Sequence, residues 1–398
     1  MRRCRALLAA ILSLTACSGG SSRGPIVLGL AGPFSQPRGV SMQHATELAV
    51  KEINARGGIR GRPLVLRVMD DSGRPEVAIR IAQQLADDPA VVAVVGHLTS
   101  SASLAAGRVY GEARRPLLMI SPSASSPDLS GVSPYMFRVC PSDLSHGAQL
   151  ARYARQMLSA QRVGVIYLDD DYGRGLRLSF TAEFKRLGGE IVEADPMLSA
   201  TASLEPYLSR LRQRGNVDAL VLATDRGGAE LALREMGRMG VHWTTLGGDA
   251  LSGIERDGPL AEGVRMSVAY LVDQPGERNA QFFGAYARAY PGERPDHRGA
   301  AAYDIVHLLA SVLAESGVGW LPYFLTRMDL EWRNLKDKID YAPRTPPSEK
   351  SRSSFQTSFR RPGPGHEGLR PMCDPGGGDR GPGNRSPGRI FLEGFRSS

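Results

Sequence analysis

Apolar runs alternate with longer amphipathic segments along most of this chain, from Gly24 to about Gly317. Runs such as AVVAVV and PLLMI lack a polar residue at alternate positions, which is typical of strands covered on both faces of a sheet. The segments between them predict helices, such as VSMQHATELAVKEINARGG, which ends at Gly57 and Gly58. Strands and helices in this order form parallel sheets through right-handed crossovers.

The alternation occurs in two series, separated by the segment YMFRVCPSDLSHG. This segment contains Pro134 and Pro141 and has no run long enough for a helix, so we interpret it as a strand-like crossing between two lobes. Roughly 300 residues in two series exceed what one hydrophobic core usually holds. The predicted fold class is therefore α/β, with two doubly wound parallel-sheet lobes joined by a hinge.

The N-terminus has the pattern of an export signal. Residues 1–16 place three arginines before an apolar run too short to span a bilayer. Cys17 follows in LTACSGG, which is similar to a bacterial lipobox, with a linker over 17–24. We expect cleavage before Cys17 and attachment of lipid to this cysteine. The protein would then be exported and anchored to a membrane by the lipid, with its body facing the periplasm or the cell exterior. An ordinary signal with an incidental cysteine is the alternative.

The formal net charge of +8 is confined to the chain ends. Three arginines lie in the signal, and Tyr341–Ser398 carries ten Lys/Arg against five Asp/Glu, so the body between them is neutral. A nucleic-acid partner needs a basic patch on a folded domain, and none is expected here. Outside the signal and lipobox only Cys140 and Cys373 remain, so a disulfide framework is not expected.

Small hydroxyl side chains follow two neighbouring predicted strands. GHLTSSAS places Thr99, Ser100 and Ser101 after one strand and at the start of a helix, and SPSASSPDLS follows the next strand. Ligands of open α/β sheets bind beyond the carboxyl ends of strands, and a helix N-terminus offers free amides to a carboxylate. The alternative is that one serine only caps the helix.

The chain shows no pattern for catalysis at these hydroxyls. No GxSxG elbow surrounds the serines, no histidine has a metal-ligand spacing, and neither P-loop nor Rossmann glycines follow a strand. We therefore predict a binding site and no enzyme, cofactor or metal. A serine hydrolase using Ser100 is the competing hypothesis.

The chain resembles the periplasmic branched-chain amino-acid-binding proteins, the solute receptors of ABC importers with the type I periplasmic binding protein fold. The resemblance lies in AVKEINARGGIRGRPLVLRVMDD, VVGHLTSSAS, RRPLLMISPSASSPDL, YMFRVCPSD, DDDYGRGL and AAYDIVHLLA. It implies a first lobe over 25–141 and 265–317 and a second lobe over 142–264. It also implies an ABC permease with its ATPase subunits as partners. A ligand sensor of the same fold is the alternative function.

The resemblance also implies how a small amino acid, or a related amide or carboxylate, is held. Ser100 and neighbouring amides would bind its carboxylate, while Ser123 and Ser125 would offer a carbonyl and a hydroxyl. Tyr172 would pack on the ligand, and Asp249 would bind its ammonium. Tyr172 as a core aromatic and Asp249 as a helix cap are the alternatives. The predicted ligand-binding residues are Ser100, Ser101, Ser123, Ala124, Ser125, Tyr172, Asp225, Asp249 and Phe34.

Two departures from the family pattern concern the ligand. Pro37 occupies the aligned position of an aromatic wall, which Phe34 could supply instead. Asp225 and Arg226 replace an aromatic or aliphatic lining, which argues against a purely aliphatic ligand.

The C-terminal end lies outside the resemblance. Residues 318–340 form a candidate helix, and 341–398 are rich in Pro, Gly, Arg and Ser, which predicts a disordered tail. The family's closing strands are not found, so we interpret the ending as a shifted reading frame or a foreign end, with a genuine extension as the alternative.

Overall fold

A computed structural model describes residues 24–316 and 340–341 of the chain. Its strands are β1 (Ile26–Gly32), β2 (Leu64–Asp70), β3 (Val91–Gly96), β4 (Leu118–Ser121), β5 (Met136–Arg138), β6 (Arg162–Leu168), β7 (Glu190–Met197), β8 (Ala219–Ala223), β9 (Thr244–Gly247), β10 (Arg265–Met266) and β11 (Asp340–Tyr341). Its α-helices are α1 (Pro37–Ala55), α2 (Pro75–Asp87), α3 (Ser100–Glu112), α4 (Asp143–Gln156), α5 (Asp171–Arg186), α6 (Glu205–Arg214), α7 (Arg226–Arg238), α8 (Glu277–Ala289) and α9 (His297–Ser316).

The strands form two sheets, one in each lobe. The first has the order β11-β5-β4-β3-β1-β2 and the second the order β10-β9-β8-β6-β7. Neighbouring strands are parallel throughout, except that β11 is antiparallel to β5. The prediction of two doubly wound parallel-sheet lobes is confirmed.

Each sheet is covered by helices on both faces, which explains the unbroken apolar runs. In β1, Leu28 and Leu30 pack in a core that includes Ile305 of α9, whereas Val27 packs on the opposite face with Leu85 of α2. Successive strand residues thus enter different cores, so both must be apolar.

The second lobe repeats this arrangement, with α4 and α5 packed closely on one face. A Cβ added at Gly147 of α4 would lie 2.5 Å from the backbone nitrogen of Phe180 in α5. Only a glycine allows this approach, and the backbones of the two helices are therefore in direct contact.

The structure differs from the predicted connection between the lobes in two details. The segment predicted as a strand-like crossing contains strand β5 (Met136–Arg138), but its last residues begin helix α4 at Asp143, where Ser142 caps the helix by accepting from the amide of Leu144. Arg265–Met266 pair with β9 of the second sheet, so the chain leaves the second lobe after 266, not before 265.

Strand β11 lies at the edge of the first sheet, at the junction of the candidate helix and the predicted tail. The remainder of both segments, together with residues 1–23, lies outside the described residues. Within the described part of the chain, no helix combines the length and apolar character needed to cross a membrane.

Candidate functional site

The loop between β3 and α3 has its hydroxyls in three separate roles. Thr99 caps α3, because its hydroxyl accepts from the amide of Ala102 at 3.3 Å. Ser100 is buried and accepts from the amide of Ser126 at 3.2 Å, within the neighbouring loop. Ser101 accepts from the amide of Asp171 at 3.2 Å, in the second lobe. Thr99, and not a serine, therefore caps the helix. Ser100 connects the loop to the neighbouring hydroxyl loop, and Ser101 connects it to the second lobe.

The loop after β4 is organised by Ser121. Its hydroxyl donates to the carbonyl oxygen of His97 at 2.6 Å and accepts from the amides of Ala124 at 3.0 Å and Ser123 at 3.4 Å. The carbonyl oxygen of Ser125 accepts from the amide of Asp143 at 2.8 Å. Hydrogen bonds within the protein thus hold both hydroxyl loops in place.

A buried polar network supports these loops from behind. His97 is fully buried and lies 2.6 Å from Asp71 through Nδ1 and 3.2 Å from the hydroxyl of Tyr110 through Nε2. Burial, followed by the charge of Asp71, raises the pKa of Tyr110 above its ordinary value. Since every member has a partner, the network fixes the path of the chain into α3.

Across the cleft, Asp249 follows β9 and is 2% exposed. Its Oδ2 lies 3.5 Å from Nε2 of His297 and 3.9 Å from Nε2 of His146, yet it has no hydrogen-bond partner among the described residues. A buried acceptor without a donor from the protein is costly, so a donor group on a ligand would stabilise it.

Tyr172 lies in the first turn of α5, beside the same strand end. A Cβ added at Gly248, next to Asp249, would be 2.4 Å from the Tyr172 hydroxyl, so glycine leaves room for the phenol. This hydroxyl is buried and has no hydrogen-bond partner among residues 24–316 and 340–341. Burial raises the pKa of Tyr172 above its ordinary value, and the charges of Asp249 and Asp143 add to the shift.

His297 is a cleft residue that the sequence reasoning missed. It begins α9 and places Nε2 3.3 Å from the hydroxyl of Ser123 and Nδ1 3.1 Å from that of Ser252. Burial lowers the pKa of His297 to about 4, so its imidazole is neutral at neutral pH. No local pattern marks it, because its partner Ser123 is 174 residues away.

Asp143 and His146 of α4 were missed as well. Both are buried on one face of the helix, and the hydroxyl of Ser267 lies 3.0 Å from Nδ1 of His146. Burial raises the pKa of Asp143 well above its usual range, and the charge of Asp249 adds to this. A histidine three residues after an aspartate at a capped helix start was the available signal.

Asp225 lies farther out, at the rim of the cleft. It caps α7 through the amide of Gly228 at 3.0 Å, and its Oδ2 is 3.8 Å from Arg38 of the first lobe. Together with Ser252 and His297 these residues line a cavity of about 680 Å³. Arg226 also lines it but pairs with Asp257, so its charge is already compensated.

The structure does not bring every predicted residue to one place. Phe34, the predicted aromatic wall, packs beside Gly32 and against the core of the first lobe. Pro37 is the first residue of α1, and the neighbouring Arg38 faces Asp225. Ala124 is buried, and its carbonyl oxygen accepts from the thiol of Cys140.

Two α/β lobes that face each other across a polar cleft define a binding protein of the two-lobed class. The chain belongs to the periplasmic binding protein family, which matches residues 25–321. This family binds solutes outside the cytoplasm, which agrees with the resemblance found in the motifs.

Relatives of known structure share this architecture. An ABC transporter substrate-binding protein from Desulfitobacterium hafniense is 32% identical, with a TM-score of 0.63, over 74% of this chain and 85% of that one. A branched-chain amino acid transporter substrate binding protein from Streptococcus pneumoniae, solved in complex with isoleucine, is 27% identical with a TM-score of 0.69, over 76% and 88%.

Among curated proteins, the leucine-specific-binding protein of Salmonella typhimurium is 31% identical over 221 residues, which is 54% of this chain and 58% of that protein. An amino acid binding protein of Pseudomonas aeruginosa is 32% identical, over 48% and 51%. The chain therefore spans little more than half the length of these curated relatives.

Proposed function

We propose that this chain is the solute receptor of an ABC importer and captures a small amino acid, or a related amide or carboxylate, between its lobes. One observation carries the proposal: the buried Oδ2 of Asp249 has no hydrogen-bond partner among the described residues and lies 3.5 Å from Nε2 of His297, which is itself 3.3 Å from the hydroxyl of Ser123 in a hydroxyl loop of the first lobe. A zwitterion needs donors at one end and an anion at the other. The isoleucine bound to the streptococcal relative supports this ligand class. The permease and its ATPase subunits are the partners of this role.

The proposed ligand contacts follow from this polarity. Ser100, Ser101 and nearby amides at the start of α3 bind the carboxylate, because helix N-termini attract anions. The loop of Ser123, Ala124 and Ser125 borders the ligand with a carbonyl and a hydroxyl. Tyr172 packs against the ligand, and Asp249 accepts from its ammonium. Asp225 lies at the rim, where it would meet only a longer side chain.

The same geometry supports binding without catalysis. Ser123, His297 and Asp249 lie together, but both Ser123 and Asp249 face the same ring nitrogen, Nε2. A Ser-His-Asp triad needs the acid on the opposite nitrogen, which here meets Ser252. With a pKa of about 4, His297 is also a weak base. An active-site serine reagent should leave the protein unlabelled, and stoichiometric labelling would contradict this part of the proposal.

We place the protein outside the cytoplasm, anchored by lipid on Cys17. The lipobox-like LTACSGG supports this part of the proposal. In cells, a Cys17→Ser variant should leave the membrane fraction, and the intact mass of the wild type should include acyl chains. A variant that still partitions with membranes would remove the anchor from the proposal.

The test of the receptor role is a thermal-shift screen of the purified chain with amino acids, amides, urea and small carboxylates. A ligand that binds only the folded state at 100 times its Kd stabilises it by about 2.7 kcal/mol. At least one amino acid should raise Tm in a concentration-dependent way. If none does, and calorimetry detects no binding, the proposed ligand class is wrong.

A further inference from the structure

Asp143 is an acidic residue that the proposed contacts leave unused. It is fully buried, and neither oxygen meets hydrogen-bond geometry with a described residue, although the nearby hydroxyl of Ser125 partly offsets the rise in its pKa. Its place in the first turn of α4 favours a negative charge only weakly. Burial outweighs this effect and favours the protonated form, so Asp143 becomes a carboxylate only beside a cationic partner.

Asp143 borders both halves of the cleft. Its amide donates to the carbonyl oxygen of Ser125. A Cβ added at Gly175 of α5 would lie 3.2 Å from its Oδ2 and 3.4 Å from the hydroxyl of Ser126. Asp143 is therefore next to the hydroxyl loop, and the same face of α4 approaches Asp249 through His146 at 3.9 Å.

Two acidic residues thus lie close together in the cleft, and the charge of Arg138 lowers the pKa of Asp143 less than burial and Asp249 raise it. His297 is neutral at neutral pH. The guanidinium of Arg138 donates to the carbonyl oxygen of Ser126 at 2.7 Å and to the hydroxyl of Ser130 at 3.1 Å. A zwitterion brings one ammonium and leaves one carboxylate without a partner, whereas a ligand with a second cationic nitrogen satisfies both.

We propose that Asp143 binds a second cationic nitrogen of the ligand, so that the site prefers diamino and basic amino acids to aliphatic ones. This inference rests on the proposed function, because the carboxylate and the first ammonium of the ligand use the hydroxyl loops and Asp249.

The test compares matched amino acids that differ in one cationic group. Calorimetry on the full chain would use lysine against norleucine, ornithine against norvaline, and arginine against citrulline. In at least one pair the cationic member should bind about tenfold or more tightly, since a hydrogen bond to a charged group is worth about 1.5–3 kcal/mol.

The variant Asp143→Asn keeps the shape of the side chain and removes its ability to become negatively charged beside a cation. It should bring the two members of the preferred pair to within about threefold of each other, which is less than 1 kcal/mol. The matched control is Asp195→Asn in β7. Asp195 is also buried with one unpartnered oxygen, but its other oxygen pairs with Arg210 in the second lobe. The control should keep the preference of the wild type.

Each outcome separates this inference from the proposed function. If the uncharged member binds as tightly in every pair, the second cationic contact is wrong while the receptor role stands. If Asp143→Asn keeps the full preference, another residue provides it, and the role of Asp143 is wrong. If the wild type binds no amino acid of either kind, the proposed function itself fails. Should the variant not fold, the pairs measured on the wild type still decide.

Discussion

The two sides of the cleft differ in how completely their polar groups are paired. On the first-lobe side, Ser100 accepts from Ser126, and Ser121 serves one carbonyl and two amides. On the second-lobe side, buried polar atoms of Asp143, Asp249 and Tyr172 do not meet hydrogen-bond geometry with any described residue. The polar groups on the first side are already hydrogen-bonded within the protein. Those on the second side remain available to bond a ligand, so we expect the second side to determine which ligands bind tightly.

The largest expected effect comes from Asp249→Asn. Losing a charge-assisted hydrogen bond to an ammonium should weaken binding by about 1.5–3 kcal/mol, or roughly tenfold to a hundredfold in Kd. The Tm of the unliganded protein should fall less than the affinity, because Oδ2 of Asp249 accepts no hydrogen bond from the described residues. Calorimetry and thermal melting on the same preparation check both. An unchanged Kd would show that the ammonium binds elsewhere.

Ser121→Ala is the converse experiment on the first side. It leaves a buried carbonyl and two amides without their shared hydroxyl, which should destabilise the unliganded protein by about 1–3 kcal/mol. Chemical unfolding measures this directly. Ser252→Ala, which also removes a donor bond to a carbonyl at 2.7 Å, is a control from the other lobe. Equal melting of Ser121→Ala and wild type would mean that the first side is not preformed.

The pH dependence of stability sharpens the comparison, because two cleft residues act in opposite directions. The pKa of His297 is lowered to about 4, so between about pH 4 and 6.5 only the unfolded chain takes up its proton, and stability rises with pH. The pKa of Asp143 is raised, so the folded chain keeps a proton that the unfolded chain loses, and stability falls as pH rises above about 4.

Removing one of these two residues should therefore leave the pH dependence of stability that the other residue causes. Asp143→Asn should leave a rise in stability with pH, and His297→Gln a fall, each by at most about 1.4 kcal/mol per pH unit. The titratable or charged neighbours of His297 stay in both variants and are Arg298, Asp249, Asp296 and His146. Urea unfolding midpoints at pH 4.5, 5.5 and 6.5 measure the slopes. Two slopes of the same sign would contradict one of the assigned protonation states.

The smallest effect is expected at the rim. Arg38 and Asp225 approach across the cleft at 3.8 Å and are each about a third exposed. Such a pair contributes about 0–1 kcal/mol, and less in high salt. Asp225→Asn should change ligand affinity by less than about fivefold. A larger loss would show that Asp225 contacts the ligand directly, as the sequence predicts.

Sequence reasoning found the sheets and hydroxyl loops because their signals are local. Unbroken apolar runs indicate strands that are covered on both faces of the sheet. Small hydroxyl residues after a strand indicate the carboxyl end of the sheet, where ligands bind. Helix α4 was missed because its first turn follows two prolines and its apolar face begins late. His297 and Asp143 were missed because their significance depends on Ser123, Asp249 and Gly175, which are distant in the chain.

The close packing at Gly147 also has a kinetic consequence. Because the close approach at Gly147 prevents α4 and α5 from sliding past each other, we expect Asp143 and Tyr172 to move together in any closure of the lobes. A ligand docked on the first lobe should therefore meet them in a single event. We expect capture to follow one exponential phase with similar association rates for different solutes, and their affinities to differ mainly in how long each complex lasts before it reopens.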